Sequence, residues 1–467
     1  MKRTLIILSL IGLTGCVRFE AHPLAPEKTA AQLEARRLDA AGLRTFMEQN
    51  LGRKLVTWPL PEWDLTNLTI AAFYYHPSLE VARAQWALAR AGIKTAGGRP
   101  NPSVTVTPGY DTTATSISPW LPMLSFDWPI ETAGKRNIRI AGARERAGSA
   151  RWDILTAAWQ VRSNVRDTLL DWRVAELRGE VLAREAAVQE QIVEHLQQRV
   201  AAGAAARSKL VPLQIALHKT RLDQQDAQAR SSDAHVRLAG TLGLGIDALT
   251  GIKLVCEFST NDLPELTAPA ARHLALTSRS ELMGALADYA AAEADLQLEV
   301  AKQYPDVHLG PGYQYNQGDN QWLLGLTVEL PVLNQNQGPI AEAEAQRRLA
   351  AAKVLALQAQ ILAELDRAVA AYRQAQKTSG SGDYLLAAEQ VQEASVRIQQ
   401  QAGVADQSDL LAAQLETAGA SLVQLDDLTA LQQARNAIED ALQRPADAVA
   451  AVINNLPTEN PHNHSAK

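Results

Sequence analysis

Two periods run along this chain. Over most of its length apolar residues recur every third or fourth position, as at Val188, Ile192, Leu196 and Val200, with charged residues between them. That is the spacing of one helix face, and it predicts packing against a neighbouring helix. In two short stretches the period drops to two. Val307, Leu309, Pro311, Tyr313 and Tyr315 alternate with His308, Gly310, Gly312, Gln314 and Asn316; on the return Trp322, Leu324, Leu326, Val328 and Leu330 oppose a mostly polar face with Gly325, Thr327 and Glu329. An earlier stretch sends out Val104, Val106, Pro108 and Tyr110 and brings back Trp120, Leu124, Phe126, Trp128 and Ile130. Each stretch reads as a hairpin with one apolar and one polar face.

The chain is written twice. Pro102-x-Val104 and Pro108-Gly109-Tyr110 recur 203 residues later as Pro305-x-Val307 and Pro311-Gly312-Tyr313, and LSFDWPI from Leu124 recurs 202 residues later as LTVELPV from Leu326. Trp172-Arg173-x-Ala175 and Gly203…Ser208-x-Leu210 recur 200 residues later as Tyr372-Arg373-x-Ala375 and Gly403…Ser408-x-Leu410. Matches in one order at a nearly constant offset indicate an internal duplication. After each hairpin comes a long proline-free run, Glu131 to Val211 and Ile340 to Arg444. About sixty helical residues in each make a rod of roughly 90 Å.

Gly203 and Gly403 are expected to reverse these rods, since glycine accepts the left-handed conformation, with Ser208 and Ser408 capping the returning helices. The returns are expected over Ser208–Gly240 and Ser408–Arg444, and shorter helices over Leu65–Ala96 and Ala270–Gln303. The first repeat thus spans 65–240 with its hairpin at 101–130, and the second 270–444 with its hairpin at 304–332. A connector, 241–269, holds one expected strand in which Ile252, Leu254, Cys256 and Phe258 share a face, making Cys256 a buried structural thiol. Lys377–Asp383, KTSGSGD, is expected to interrupt and bend the second rod, and the polar tail 445–467 to be disordered.

The first 15 residues, MKRTLIILSLIGLTG, have a basic start, a short apolar run and small residues at the end, the form of a secretory signal. Leu13-Thr14-Gly15-Cys16 resembles the bacterial lipobox, which implies cleavage before Cys16 and its acylation. Val17 in place of Asp favours delivery to the outer membrane, and 16–64 is expected to be a lipidated extended segment.

With 467 residues and a formal net charge of −6, the chain offers no basic field for nucleic acid. Cys256 is the only cysteine after Cys16, so neither an internal disulfide nor a cysteine metal cluster is expected. No glycine-rich phosphate loop, His-x-x-x-His pair or nucleophile elbow occurs; His76, His195, His218, His235 and His273 are scattered, and His462 and His464 are too few for a metal site. No enzyme activity, cofactor or metal centre is expected. Strands of about nine to eleven residues with a two-residue period suit a transmembrane barrel, apolar side to lipid. Tyr110, Trp120, Tyr313, Tyr315 and Trp322 near the hairpin tips would form its aromatic girdle. Half-buried hairpins in a soluble protein are the plainer alternative. Four strands cannot close a barrel alone, so a membrane sheet of this chain requires copies of itself.

The lipobox, the hairpin ends PIETAGKR (129–136) and PVLNQNQG (331–338), and the Gly-x-x-x-x-Ser-x-Leu turns resemble the TolC family of outer-membrane efflux factors, over nearly all of the mature chain. The resemblance implies a mainly α fold with a small β-barrel contribution: duplicated long-helix α-barrel, two transmembrane hairpins per chain, and a homotrimer sharing a twelve-strand barrel. It also implies an exit duct in the outer membrane, reaching into the periplasm, docked to a periplasmic adaptor and an inner-membrane RND-type pump. Gly203, Ser208, Leu210, Gly403, Ser408 and Leu410 would form the docking tip. Similar lipidated members serve heavy-metal and drug efflux. The family's aperture motif falls on Asp409, with Ala412 where a further aspartate is expected and Lys209 at the repeat-equivalent position. Asp409 as a helix-start residue is the other reading. The alternatives to an efflux duct are an exit duct for type I protein secretion and a periplasmic coiled-coil scaffold lipoprotein.

Overall fold

The computed structural model describes residues 18–113, 118–258, 268–444 and 453. The expected signal 1–15 and Cys16 lie outside the described residues, as does the tail 445–467 except Ile453, which is helical and buried in the first core described below.

Two helices, α1 (Pro26–Glu34) and α2 (Ala41–Leu51), occupy the stretch expected to be extended. Leu43, Phe46 and Met47 recur at three and four residues and bury fully against the body, which fixes α2 in place of an extended strap. Next come α3 (Leu65–Tyr75) and α4 (Pro77–Ala96), where one helix was expected. Pro77 cannot donate an amide, so α3 ends at Tyr75; His76 takes an extended conformation and its ring accepts the Ser78 amide at 3.3 Å. The second repeat breaks at the equivalent place, between α7 (Ala268–Ser278) and α8 (Ser280–Ala301), without a proline. There Arg279 is extended, and the Ser280 amide donates to Gln443 Oε1 at 2.8 Å.

The rods are α5 (Lys135–Ala201, 67 residues) and α9 (Gln337–Gln401, 65 residues), returned by α6 (Leu210–Leu242) and α10 (Gln407–Leu442). Each rod is about 100 Å long at 1.5 Å per residue. The run Lys377–Asp383 does not interrupt α9, which is helical throughout. Its small residues serve close approach instead. A Cβ on Gly382 would meet the Asp427 side chain on α10, and Ser379 is buried.

Strands β1 (Ser103–Thr107), β2 (Met123–Ile130), β3 (Val307–Asn316) and β4 (Asp319–Val328) form one antiparallel sheet in chain order. The second hairpin has the expected length; the first is shorter. Pro108 and Pro122 face each other in its register and neither has an amide to give. The pairing resumes beyond them, where Leu121 N donates to Gly109 O and Asp111 N to Pro119 O, both at 2.8 Å.

The expected strand in the connector is a single bridge from Leu254 to Trp63, with Trp63 N donating to Lys253 O and Val255 N to Trp63 O, each 2.9 Å. Cys256 is free and half-buried, and burial pushes its thiol up to about 11.

Each repeat has its own core. Leu43, Phe46, Trp63 and Phe73 meet Trp159, Val165 and Leu169 of α5 and Leu238 and Leu242 of α6. In the second repeat Ala275 and Leu282 meet Ile361 and Leu365 of α9 and Ile438 and Leu442 of α10.

Candidate functional site

The sheet separates chemistry by face. In the register of the sheet Val104 faces Phe126, Leu124 faces Tyr313, Trp128 faces Leu309, Leu309 faces Leu326 and Pro311 faces Leu324, so one face is apolar across all four strands. Trp322, Leu324 and Leu326 are 83, 74 and 67% exposed, which in water would be a cost with no return. The opposite face carries Thr105, Ser125, Asp127, His308, Gly312, Gln314 and Thr327, with Met123, Pro129 and Leu323 as apolar exceptions.

The aromatic residues singled out above pair at the tips. Tyr110 meets Trp120 edge-on at 5.0 Å between ring centroids, and Tyr313 meets Trp322 at 5.2 Å. Tyr315 lies opposite Asn320, beside the turn at Gln317-Gly318. Both turn residues have positive φ, 49° and 111°, the handedness a two-residue hairpin needs.

Two polar joints at the other end escaped the sequence reading. His308 Nδ1 lies 2.9 Å from Asp127 Oδ1 on the polar face. At the root of the sheet Lys135 Nζ donates to Asp306 Oδ1 and to Tyr304 O, both at 2.7 Å, while Thr132 donates through its amide to Asp306 Oδ1 at 2.9 Å and through Oγ1 to Pro305 O at 2.7 Å. Partial burial pushes the Asp306 carboxyl up, but the bonds from Lys135 and Thr132 outweigh it and hold the group below the usual carboxylate range. This latch ties the end of the first hairpin to the start of the second. The signal available in sequence was a lysine in the hairpin end and an aspartate after Pro305; their partnership was not local.

At the far ends of the rods, Gly203 and Gly403 have φ of +72° and +74°. Gly203 N donates to Val200 O at 3.0 Å and Ala204 N to Arg199 O at 2.8 Å; Gly403 N and Val404 N repeat this to Gln400 O and Gln399 O at 3.0 and 2.9 Å. Only the positive φ demands glycine there, since nothing lies within 4 Å of an added Cβ.

The caps differ from expectation. Ser408 does not cap α10: Asp406 does, accepting the Asp409 amide at 3.0 Å, while the Asp409 carboxylate accepts the Asp406 amide at 2.9 Å. This reciprocal box engages Asp409 at a helix start. The backbone amides of Asp409 and Ser408 hold the Asp406 carboxyl below its ordinary value. In the first repeat Ala206 stands where Asp406 does and has no oxygen to offer; Arg207–Lys209 form a 3-10 turn, and Ser208 caps nothing. Lys209 and Asp409 are exposed and form no ion pair with each other within the chain. Leu410 is buried against Val396 and Ala413, and Leu210 packs on the matching cluster of Ala186, Val193 and Leu217, so these two leucines hold each reversal together.

Midway along the rods lies a buried charge cluster, also missed. Arg162 and Arg166 of α5, 1 and 5% exposed, meet Glu439 and Asp440 of α10. Arg162 donates twice to Glu439 Oε2 at 3.2 Å; Arg166 Nη2 donates to Asp440 Oδ2 at 2.6 Å, as does Ser163 Oγ at 2.9 Å, and Trp159 Nε1 donates to Asp440 Oδ1 at 3.1 Å. Burial alone would lower Arg166; Asp440, Asp167 and Glu439 outweigh it and raise the group above its ordinary value. The cluster pins the two repeats together and borders a cleft of about 500 Å³ lined also by Asp64, Cys256 and Arg435.

Among the described residues no helix is long and apolar enough to cross a membrane, and no group of three or more His, Cys, Asp or Glu is placed to hold a metal ion.

Residues 72–244 match the family model described as outer membrane efflux protein. Over 221 residues the chain is 25% identical to the cobalt-zinc-cadmium resistance protein CzcC of Cupriavidus metallidurans. That match covers 46% of this chain and 51% of CzcC, so the chain spans about half the length of that curated relative. The fold extends the likeness. VceC of Vibrio cholerae superposes with a TM-score of 0.66 at 18% identity, covering 82% of this chain and 97% of that one. Campylobacter jejuni CmeC, an outer membrane channel, covers 96% and 98% at 13% identity, also with a TM-score of 0.66. Residues 72–244 thus resemble the outer membrane efflux protein family, and the mainly helical body with its antiparallel sheet has the fold of these outer membrane channels.

Proposed function

We propose that this chain is the TolC-family exit duct of a tripartite efflux system: three copies close a twelve-strand barrel in the outer membrane and a helical tunnel below it. A periplasmic adaptor and an inner-membrane RND-type pump deliver substrate, and the duct conducts it passively. The observation that carries this reading is the sheet, apolar across one whole face and unpaired at both edges, standing at the end of rods about 100 Å long. A sheet in lipid must pair every edge, and four strands cannot do so alone. The substrate class we infer is small solutes with divalent metal ions foremost, because the curated relative is a cobalt-zinc-cadmium resistance protein. Acylation of Cys16 would add a lipid anchor to the barrel.

The reversals at Gly203 and Gly403 form the periplasmic tip, where the exposed Val404 and Ser208 are available to an adaptor. Three Asp409 carboxylates ring the aperture and attract cations, with Lys209 nearby to moderate them. Planar-bilayer recording tests this. Purified protein is expected to give discrete channels. Asp409→Asn keeps an oxygen for the Asp406 amide and removes the charge, so it separates aperture from cap. The double variant with Lys209→Ala is expected to raise conductance and weaken block by multivalent cations. Unchanged conductance and block would leave Asp409 as a capping residue; absence of any channel would overturn the duct.

A further inference from the structure

The cleft beside the buried charge cluster has a cationic floor and an acidic rim. Four of its charged lining residues are more than nine-tenths buried: Arg162 and Arg166 of α5 and Arg435 and Glu439 of α10, at 1, 5, 8 and 7% exposure. Three guanidinium groups thus share the floor with one carboxylate. Asp440 and Asp167 answer Arg166 from outside the cleft, where their side chains are 34 and 55% exposed and water screens them.

Donors on this floor outnumber acceptors. Glu439 Oε2 accepts two hydrogen bonds from Arg162 at 3.2 Å and lies 3.5 Å from Arg166 Nη1. That second separation is an ion pair longer than the usual N–H···O distance of about 2.7–3.2 Å. Arg166 Nη1 has no hydrogen-bond partner among the described residues. A buried guanidinium nitrogen without an acceptor is costly, and an oxyanion supplies one. The start of α3 adds further donors, since Leu65 and Thr66 line the cleft and the first amides of a helix have no acceptor within it. Asp64, the cap, takes the Asn67 amide instead, at 2.8 Å.

We propose that this cleft binds a small organic anion with a single oxyanion group, a carboxylate or a phosphate. The oxyanion sits against Arg166 and Arg435, and the body of the ligand lies along Leu169, Leu170 and Val255. The volume of about 500 Å³ falls in the range of small-molecule sites, roughly 300–1,000 Å³. Glu62, Asp64 and Glu257 line the cleft but are exposed, so the rim is negative. A ligand with one anionic end reaches the floor past such a rim more readily than a polyanion does. Because α5 belongs to the first repeat and α10 to the second, an occupied cleft ties the two together, and binding to the folded chain raises its stability. The site is complete within one chain and independent of how copies assemble.

Isothermal titration calorimetry on the full chain in detergent tests the site, with the melting temperature followed in parallel. The probes are glycerate and glycerol 3-phosphate, which share a carbon body and differ in the oxyanion, with glycerol as the neutral control and inorganic triphosphate as the polyanion. Saturable binding of one of the two organic anions, at one per chain and with a rise in melting temperature, is the expected result; the tighter of them identifies the head group. Arg435→Gln removes a charge from the floor and keeps a polar side chain. Thr66→Glu places a carboxylate among the donors, at a helix start where an acidic residue favours the fold. Each is expected to weaken binding at least about tenfold, the scale of a hydrogen bond to a charged group. If Arg435→Gln fails to fold, Thr66→Glu carries the test. Absence of saturable binding by either organic anion would leave the cleft to water and overturn the proposal. Tighter binding of triphosphate, equal binding of glycerol, or binding unchanged by Thr66→Glu would overturn it as well.

Discussion

Leu326→Arg and Phe126→Arg are expected to cost about 2–4 kcal/mol of membrane insertion each if they sit near the bilayer midplane, because a guanidinium on the lipid face of a barrel has no water to hold it. Both positions lie on the apolar face, in adjacent rows of one sheet. In the proposed trimer the effect is multiplied within one assembly. The neighbouring positions Ser125 and Thr327 point to the other face, so Ser125→Arg and Thr327→Arg provide the contrast: same strands, same charge, opposite side. Urea-resistant protein in the outer-membrane fraction is the measurement. Loss for the first pair and retention for the second is the expected result. Equal loss on both faces would mean that neither is bathed in lipid.

The second large effect is expected in the middle of the rods. Glu439→Ala takes from Arg162 and Arg166, buried at 1 and 5% exposure, the carboxylate they share; breaking a buried pair costs up to about 3–5 kcal/mol, and the partners these arginines keep set the loss below that ceiling. Replacing both partners, Arg162→Met with Glu439→Leu, removes the charge with its counter-charge and should recover part of the loss, Arg166 still having Asp440 at 2.6 Å. Chemical denaturation in detergent, followed by helical circular dichroism, reads the difference. A single variant as stable as the parent would show that water reaches the pair.

How much of this was legible follows from which interactions are local. Helix and strand periods, the duplication and the glycine reversals are properties of short windows, and the rods α5 and α9 and both hairpins stand where those windows put them. Lys377–Asp383 misled because small residues signal a bend and a close approach equally well; the carboxylate of Asp427, 45 residues on, decides between them. The α3–α4 break was written in Pro77, but the α7–α8 break depends on Gln443, 163 residues from the amide it accepts. Asp406 could have been chosen over Ser408 from its three-residue spacing to Asp409, the signature of a capping box. The Arg162–Glu439 pair spans 277 residues and His308–Asp127 spans 181, and no local pattern marks either. The family's match over 72–244 covers the first repeat, while the second repeat is tied to it by offset and by shape.

On the proposed reading the sheet becomes a barrel only by sharing, and single-particle electron microscopy of the detergent-purified protein puts this to the test. The expected image is a three-fold particle in which twelve strands close without a free edge above a helical tunnel roughly 100 Å long. A detergent-free monomer with its four strands still open, or a ring in which the apolar face turns inward, would contradict it.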